Sequence, residues 1–183
     1  MEYEKIINDI EILLNDICKD DRMKYHIIPV VNISKEMAKK MNADIQVVEI
    51  AAYLHDVTKI LGDRKNHHIS GAKYARGFLE KYKIPKGKIS LIEECIKNHR
   101  GSTDSQRKTI EEKIVATADS VAQFQHPLTL FYAWYGRRQC SIDDGADGIE
   151  NKLQRSWNKI EFEYVKNELK EKYNNLMQLL RER

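Results

Sequence analysis

Chain breakers are scarce. The 183 residues include 3 prolines and 8 glycines, too few to punctuate the many short strands and turns of a β-sandwich or barrel. Cys18, Cys95 and Cys140 are odd in number and form no CxxC pair, which argues against both a disulfide framework and a thiolate zinc site, and fits a reducing compartment. No run of about 18 apolar residues is present to cross a bilayer. The opening MEYEKIINDI has neither the basic start nor the continuous apolar core of a secretory signal. A cytoplasmic protein without a membrane partner is therefore expected. Charge of one sign is lacking too: 31 Lys and Arg nearly balance 28 Asp and Glu, for a formal net charge of +3. Because they are interspersed rather than blocked, a nucleic-acid partner is disfavoured.

What is present is 42% hydrophobic and 32% charged residues, the composition of a globular chain with an ordinary core, and its apolar residues recur at helical spacing. Ile6, Ile10, Leu13 and Ile17 predict a helix over 2–19. Met23, His26, Val30, Ile33, Met37 and Met41 predict a second over 22–42, in which Pro29 should kink the helix or begin it. Asp44 is a natural N-cap for a helix over 45–60. Helices over 68–83 and 87–99 follow, joined by KIPKGK, with Gly101 at a C-cap position; then come the loop GSTDSQ and a helix over 108–125. The aromatic run LTLFYAWYGRR fits either helix or a buried connection, and 147–182 reads as one long charged amphipathic helix. The expected fold class is all-α: a single-domain helical bundle over 1–183, with a motif-bearing core at about 23–125 and a C-terminal helical extension at about 127–183. DDGADGIE imitates a calcium loop, but counting from Asp143 puts Gly145 at the third position and Gln154 at the twelfth, so it reads as a helix-capping turn.

Polar residues interrupt the apolar stripes at particular places. In AAYLHDVTKI, His55 continues the stripe of Ile45, Val48 and Ala52, and Asp56 lies one residue around. His99 extends Ile89, Ile92 and Ile96; Asp119 lies between Val115 and Ala122; His26 lies between Met23 and Val30. Several helices thus project imidazoles and carboxylates toward one core, which is how helical bundles build metal sites. A lone buried His is usually a hydrogen-bonded core residue. Two carboxylates among several imidazoles, with no thiolate at hand, are best neutralised by a divalent cation. Mixed imidazole and carboxylate donors suit Mn, Fe, Co, Ni or Zn and admit Mg, in one or two positions. Lys59, on the same face as His55 and Asp56, can hold an anionic oxygen beside the ion or pair with Asp63.

The ordered set His26, His55-Asp56, His67, His99 and Asp119 resembles the HD-domain superfamily of metal-dependent phosphohydrolases, in the form of a small stand-alone member. That resemblance implies an all-helical bundle in which His26, His55, Asp56 and Asp119 bind one metal, while Asp56 bridges to a second held by His67 and His99. It also implies Lys59 as the lysine many members carry at this spacing. His67 competes with His68 for its place; HHISGA sets His67 four residues before Gly71, which favours His67. Thr58 stands where many members have Gly. The GYP motif of the cyclic-dinucleotide branch and the HDxxE form of some nucleotidases are both absent.

The expected chemistry is hydrolysis of a phosphate ester or nucleotide by a metal-activated water, with Asp56 and Lys59 as the catalytic pair. Lys59, Arg100 and Ser102 are candidates to bind the small phosphorylated substrate; Lys108 reads as solvated surface. Phe131, Tyr132, Trp134 and Tyr135 can stack on a base, though core packing is the commoner use of such a run. Two rivals remain. A di-iron oxygenase of the same superfamily would use the same six ligands, and a non-catalytic metal-containing ligand-binding or signalling module would keep the ion as cement. Mixed-valence iron would mark the first, and absence of turnover on every phosphate ester the second. Homo-oligomerisation is left open.

Overall fold

The computed structural model describes residues 2–100 and 107–182. Among these residues there is no strand. Helix α1 (Glu2–Ile17) is followed by a π-helical turn (Met23–Ile27) that runs directly into α2 (Ile28–Met41). Pro29 accounts for this junction, since it has no N–H to give and sits at the start of α2. His26 is buried in the π-helical turn, so the irregularity that proline imposes also aims that imidazole inward. Asn42, in the left-handed conformation at φ 54°, ends α2, and the Asp44 side chain then caps α3 (Ile45–Leu54) by accepting from the amides of Gln46 and Val47.

The helix expected over 45–60 is broken. After α3 the chain turns at His55 and Asp56 before the short α4 (Val57–Ile60), with Asp56 at φ −111°, ψ 10°. In an unbroken helix the two side chains would diverge by about 100°; the break lets both enter one cavity. Helices α5 (His67–Leu79) and α6 (Lys86–Asn98) pack together as a hairpin. Gly101 and the GSTDSQ loop lie outside the described residues.

Helix α7 (Ile110–Gln125) is the axis of the bundle, touching α2, α3, α6 and α9. A reciprocal capping box starts it: Thr109 Oγ1 accepts from the Glu112 amide and Glu112 returns the bond to the Thr109 amide, a device worth about 1 kcal/mol. Ala116, Ala118 and Ala122 are buried and leave room for close neighbours. The LTLFYAWYGRR stretch is the short α8 (Leu128–Phe131) continued by a second π-helical turn (Tyr132–Arg137). Its Trp134 and Tyr135 rings lie so close to α9 (Ile142–Lys159) that a Cβ on Gly148 or Gly145 would overlap them. Ser141 caps α9, so DDGADGIE is its first turns.

The single helix expected over 147–182 is two. Ile160 and Phe162 are extended between α9 and α10 (Glu163–Arg181). Burial overrides the charged helical pattern: Ile160 is 1% exposed, and the reversal stacks Tyr173 on Trp157 at 4.3 Å between ring centroids. No helix among the described residues is long and apolar enough to cross a membrane.

Candidate metal centre

Four imidazoles reach the centre from four elements: His26 from the π-helical turn before α2, His55 from the end of α3, His67 from the start of α5 and His99 from the end of α6. All four are buried. Backbone carbonyls fix three of the rings. The Nδ1–H groups of His55, His67 and His99 donate to the carbonyls of Ala52, Arg64 and Ile96 at 2.7, 3.2 and 2.5 Å. With the proton at Nδ1, each Nε2 keeps its lone pair. The side-chain amide nitrogen of Gln123 lies 3.4 Å from Nδ1 of the fourth ring, that of His26.

Those Nε2 atoms surround Asp56, which is 1% exposed. Its Oδ2 lies 3.5 Å from His26 Nε2 and 3.7 Å from His55 Nε2. Its Oδ1 lies 3.5 Å from His67 Nε2 and 3.8 Å from His99 Nε2. Asp119, from the middle of α7, adds Oδ1 at 3.3 Å from His26 Nε2 and 3.9 Å from His55 Nε2. Two groups of donors, His26 with His55 and Asp56, and Asp56 with His67 and His99, each lie within 4.8 Å of one another. All six ligand candidates from the sequence therefore meet at one place. The imidazole that reaches Asp56 is that of His67; the His68 ring packs edge-on against it.

Electrostatics keep the donors ready for a cation. Burial pulls the pKa of His55 and His67 down and that of His99 well down, so these rings are neutral. Burial opposes the charge on Asp56, but the ammonium of Lys59 holds its carboxyl well below the usual range. Asp119 is likewise held well below it, against burial, by Lys159 and Lys152. The residues fit a divalent ion on an observation independent of any family: Asp56 Oδ1 is buried with no hydrogen-bond partner. Its nearest polar neighbours there are imidazole lone pairs, which repel it. A buried carboxylate oxygen in that setting is costly unless a cation faces it.

Lys59 donates to Asp56 Oδ2 at 2.5 Å, not to Asp63, whose carboxylate accepts from Ser70 and the Asn66 amide. Thr58 explains its own presence: its hydroxyl donates to the His67 carbonyl at 3.0 Å and lies 3.0 Å from the Ser70 hydroxyl, tying α4 to the start of α5. Arg100 lines the cavity and donates to the Lys65 carbonyl at 2.5 Å. Ser102 lies outside the described residues. Lys108 is exposed and does not line the cavity.

The sequence reading misses one wall. The cavity, of about 180 Å³, is closed by Lys152, Arg155, Ser156 and Lys159 of α9. Lys159 is 5% exposed and ion-pairs with Asp119. Burial pulls it down in pKa, and pulls Lys152 down to about 8, against the attraction of Asp119. The signal was the spacing 152, 155, 159, which places cations on one helical face; read as part of a single solvated helix, it passed as surface. Lys59 and Lys152 also line an adjoining apolar groove of about 650 Å³, whose walls include Tyr25, His126, Leu128 and Tyr132. Phe131, Trp134 and Tyr135 pack against the core instead.

Comparison with known proteins adds a family. The HD domain family model matches residues 23–123. Ribonuclease Y of Rubrobacter xylanophilus is 30% identical over 99 residues, which are 53% of this chain and 17% of that protein. The chain thus spans about a sixth of that relative's length. A crystal structure described as a predicted HD superfamily hydrolase, from an uncultured Thermotogales bacterium, has a TM-score of 0.55 at 25% identity, over 63% of this chain and 67% of the other. Bacillus subtilis YpgQ has the same fold, with a TM-score of 0.75 at 21% identity over 99% of this chain and 95% of the other.

Proposed function

The chain belongs to the HD-domain family, and on that premise we propose that it is a metal-dependent phosphohydrolase acting on a small phosphate ester or nucleotide. The observation that carries this reading is the division of Asp56: each of its oxygens faces a separate pair of imidazole Nε2 atoms, and one oxygen has no donor. His26, His55, Asp56 and Asp119 would hold one ion, and Asp56, His67 and His99 a second. A divalent ion there supplies Lewis acidity toward a phosphoryl oxygen and brings the pKa of water toward neutrality. The chain's own residues do the rest. Neutral, carbonyl-anchored imidazoles keep their lone pairs inward without rearrangement. Lys59, on the rim beside Asp56, stabilises charge on the phosphoryl oxygens, and Arg100, which also lines the cavity, offers them a second cation.

The groove beyond Lys59 gives room for the organic part of the substrate. Tyr25, His126 and Tyr132 offer ring faces and Leu128 an apolar side chain. That one relative is a ribonuclease agrees with chemistry at a phosphate ester. The test is a panel of nucleotides and phosphate esters assayed with manganese, cobalt, nickel, zinc, iron and magnesium in turn. Metal-dependent release of phosphate or a phosphorylated product supports the reading; no turnover on any compound with any metal contradicts it.

A further inference from the structure

We propose that α9 carries a second anion subsite, built by Lys152, Arg155 and Ser156, which takes a distal phosphoryl group, so that the substrate bears at least two linked phosphates. As a statement about substrate it rests on the phosphohydrolase reading; as a statement about binding it stands alone.

Position comes first. Residues 152, 155, 156 and 159 share one face of α9, and all four line the cavity together with His67 and His99. That face is held rigidly, because Ile149 and Leu153 on the same helix are fully buried and the aromatic rings of the preceding turn lie on its glycines. The helix also lies outside the residues matched by the family model, 23–123.

Unmet polar capacity comes second. Ser156 is 2% exposed, lines the cavity, and its hydroxyl has no hydrogen-bond partner. A buried hydroxyl left unpaired costs about 1–3 kcal/mol, which a ligand oxygen would recover. The other cations of the cavity are engaged: Lys59 with Asp56, Lys159 with Asp119, and Arg100 with the Lys65 carbonyl. Among the described residues, neither Lys152 nor Arg155 has an ion pair within 4.0 Å.

Charge decides the ligand class. Five cationic side chains and two carboxylates line the cavity, an excess of three positive charges before any metal is counted. One phosphate monoester brings about 1.5 to 2 negative charges, which Lys59 and a metal ion would already satisfy. A diphosphate, or a longer chain of linked phosphates, matches the surplus.

The experiment is calorimetric titration of the full chain, at one fixed magnesium concentration, with orthophosphate and with methylenediphosphonate, which cannot be hydrolysed. The wild type should bind the diphosphonate at least about tenfold more tightly, the range expected of one or two charge-assisted bonds. Lys152→Met and Ser156→Ala should each cut that preference to within about threefold, leaving orthophosphate affinity and metal content unchanged. Equal binding of the two ligands by the wild type, or a preference that survives both substitutions, overturns the subsite. A protein that hydrolyses nothing yet keeps the α9-dependent preference refutes the phosphohydrolase reading and upholds the subsite.

Discussion

Asp56 Oδ1 and His67 Nε2 face each other at 3.5 Å, and neither has a proton to share. His67 gives its Nδ1 proton to the Arg64 carbonyl, so its Nε2 presents a lone pair, and Asp56 is held ionised by Lys59. Two buried lone pairs at this separation repel. A cation between them removes the repulsion, and the same argument applies to His99, whose Nδ1 donates to the Ile96 carbonyl.

The His67→Ala, His99→Ala double variant therefore keeps the donors His26, His55, Asp56 and Asp119 and should retain about one metal ion per chain while losing most activity. Elemental analysis beside an activity assay checks both halves. Undiminished turnover would show that one ion suffices.

Lys59→Ala should lower turnover by about a hundredfold and leave metal content intact, because a protonated ammonium stabilises phosphoryl charge but cannot ligate a cation. Loss of metal together with activity would make Lys59 a structural support of Asp56 instead.

Lys159 and Asp119 form a buried pair, and breaking such a pair leaves an uncompensated charge. Lys159→Met should destabilise the metal-free protein by about 3 kcal/mol, and added divalent metal should restore most of the loss, since the ion then faces Asp119. Denaturant melts with and without chelator measure this; equal stability of the two proteins in chelator would contradict it.

Burial would raise the Asp20 carboxyl, but the hydrogen bonds from Arg22 and the charge of Arg137 hold it below its ordinary range. A depressed folded-state pKa gives stability that is present above the unfolded value, near 4, and is lost as pH falls through the folded one. Thermal midpoints of the wild type should therefore fall below about pH 4, and Asp20→Asn should flatten that part of the profile. Parallel profiles would show that the link from Asp20 to the aromatic turn contributes nothing.

Much of this was legible in the sequence because a bundle writes its core as period-3.6 stripes and its sites as interruptions of them. His55, Asp56, His99 and Asp119 each occupy an apolar register, and the structure brings them together with His26 and His67. Pro29 and Asp44 marked real helix starts. Two things were not legible. The break at 160–162 has no glycine or proline to announce it; there Ile160 is buried and Trp157 finds ring partners in Phe124 of α7 and Tyr173 of α10, a tertiary effect. The α9 wall was hidden by that same error, since Lys152, Arg155 and Lys159 look solvated until α9 is turned onto the cavity. The break after Leu54 was hidden for a related reason, because the contacts that hold α4 against the start of α5, those of Thr58 with His67 and Ser70, are tertiary.

The central claim is that Asp56 sits between two metal positions, and anomalous scattering from crystals grown in manganese tests it most directly. The account predicts two peaks on either side of the Asp56 carboxylate, one bordered by His26, His55 and Asp119 and the other by His67 and His99. Crystals with full manganese in solution and no peak against Asp56 would contradict it.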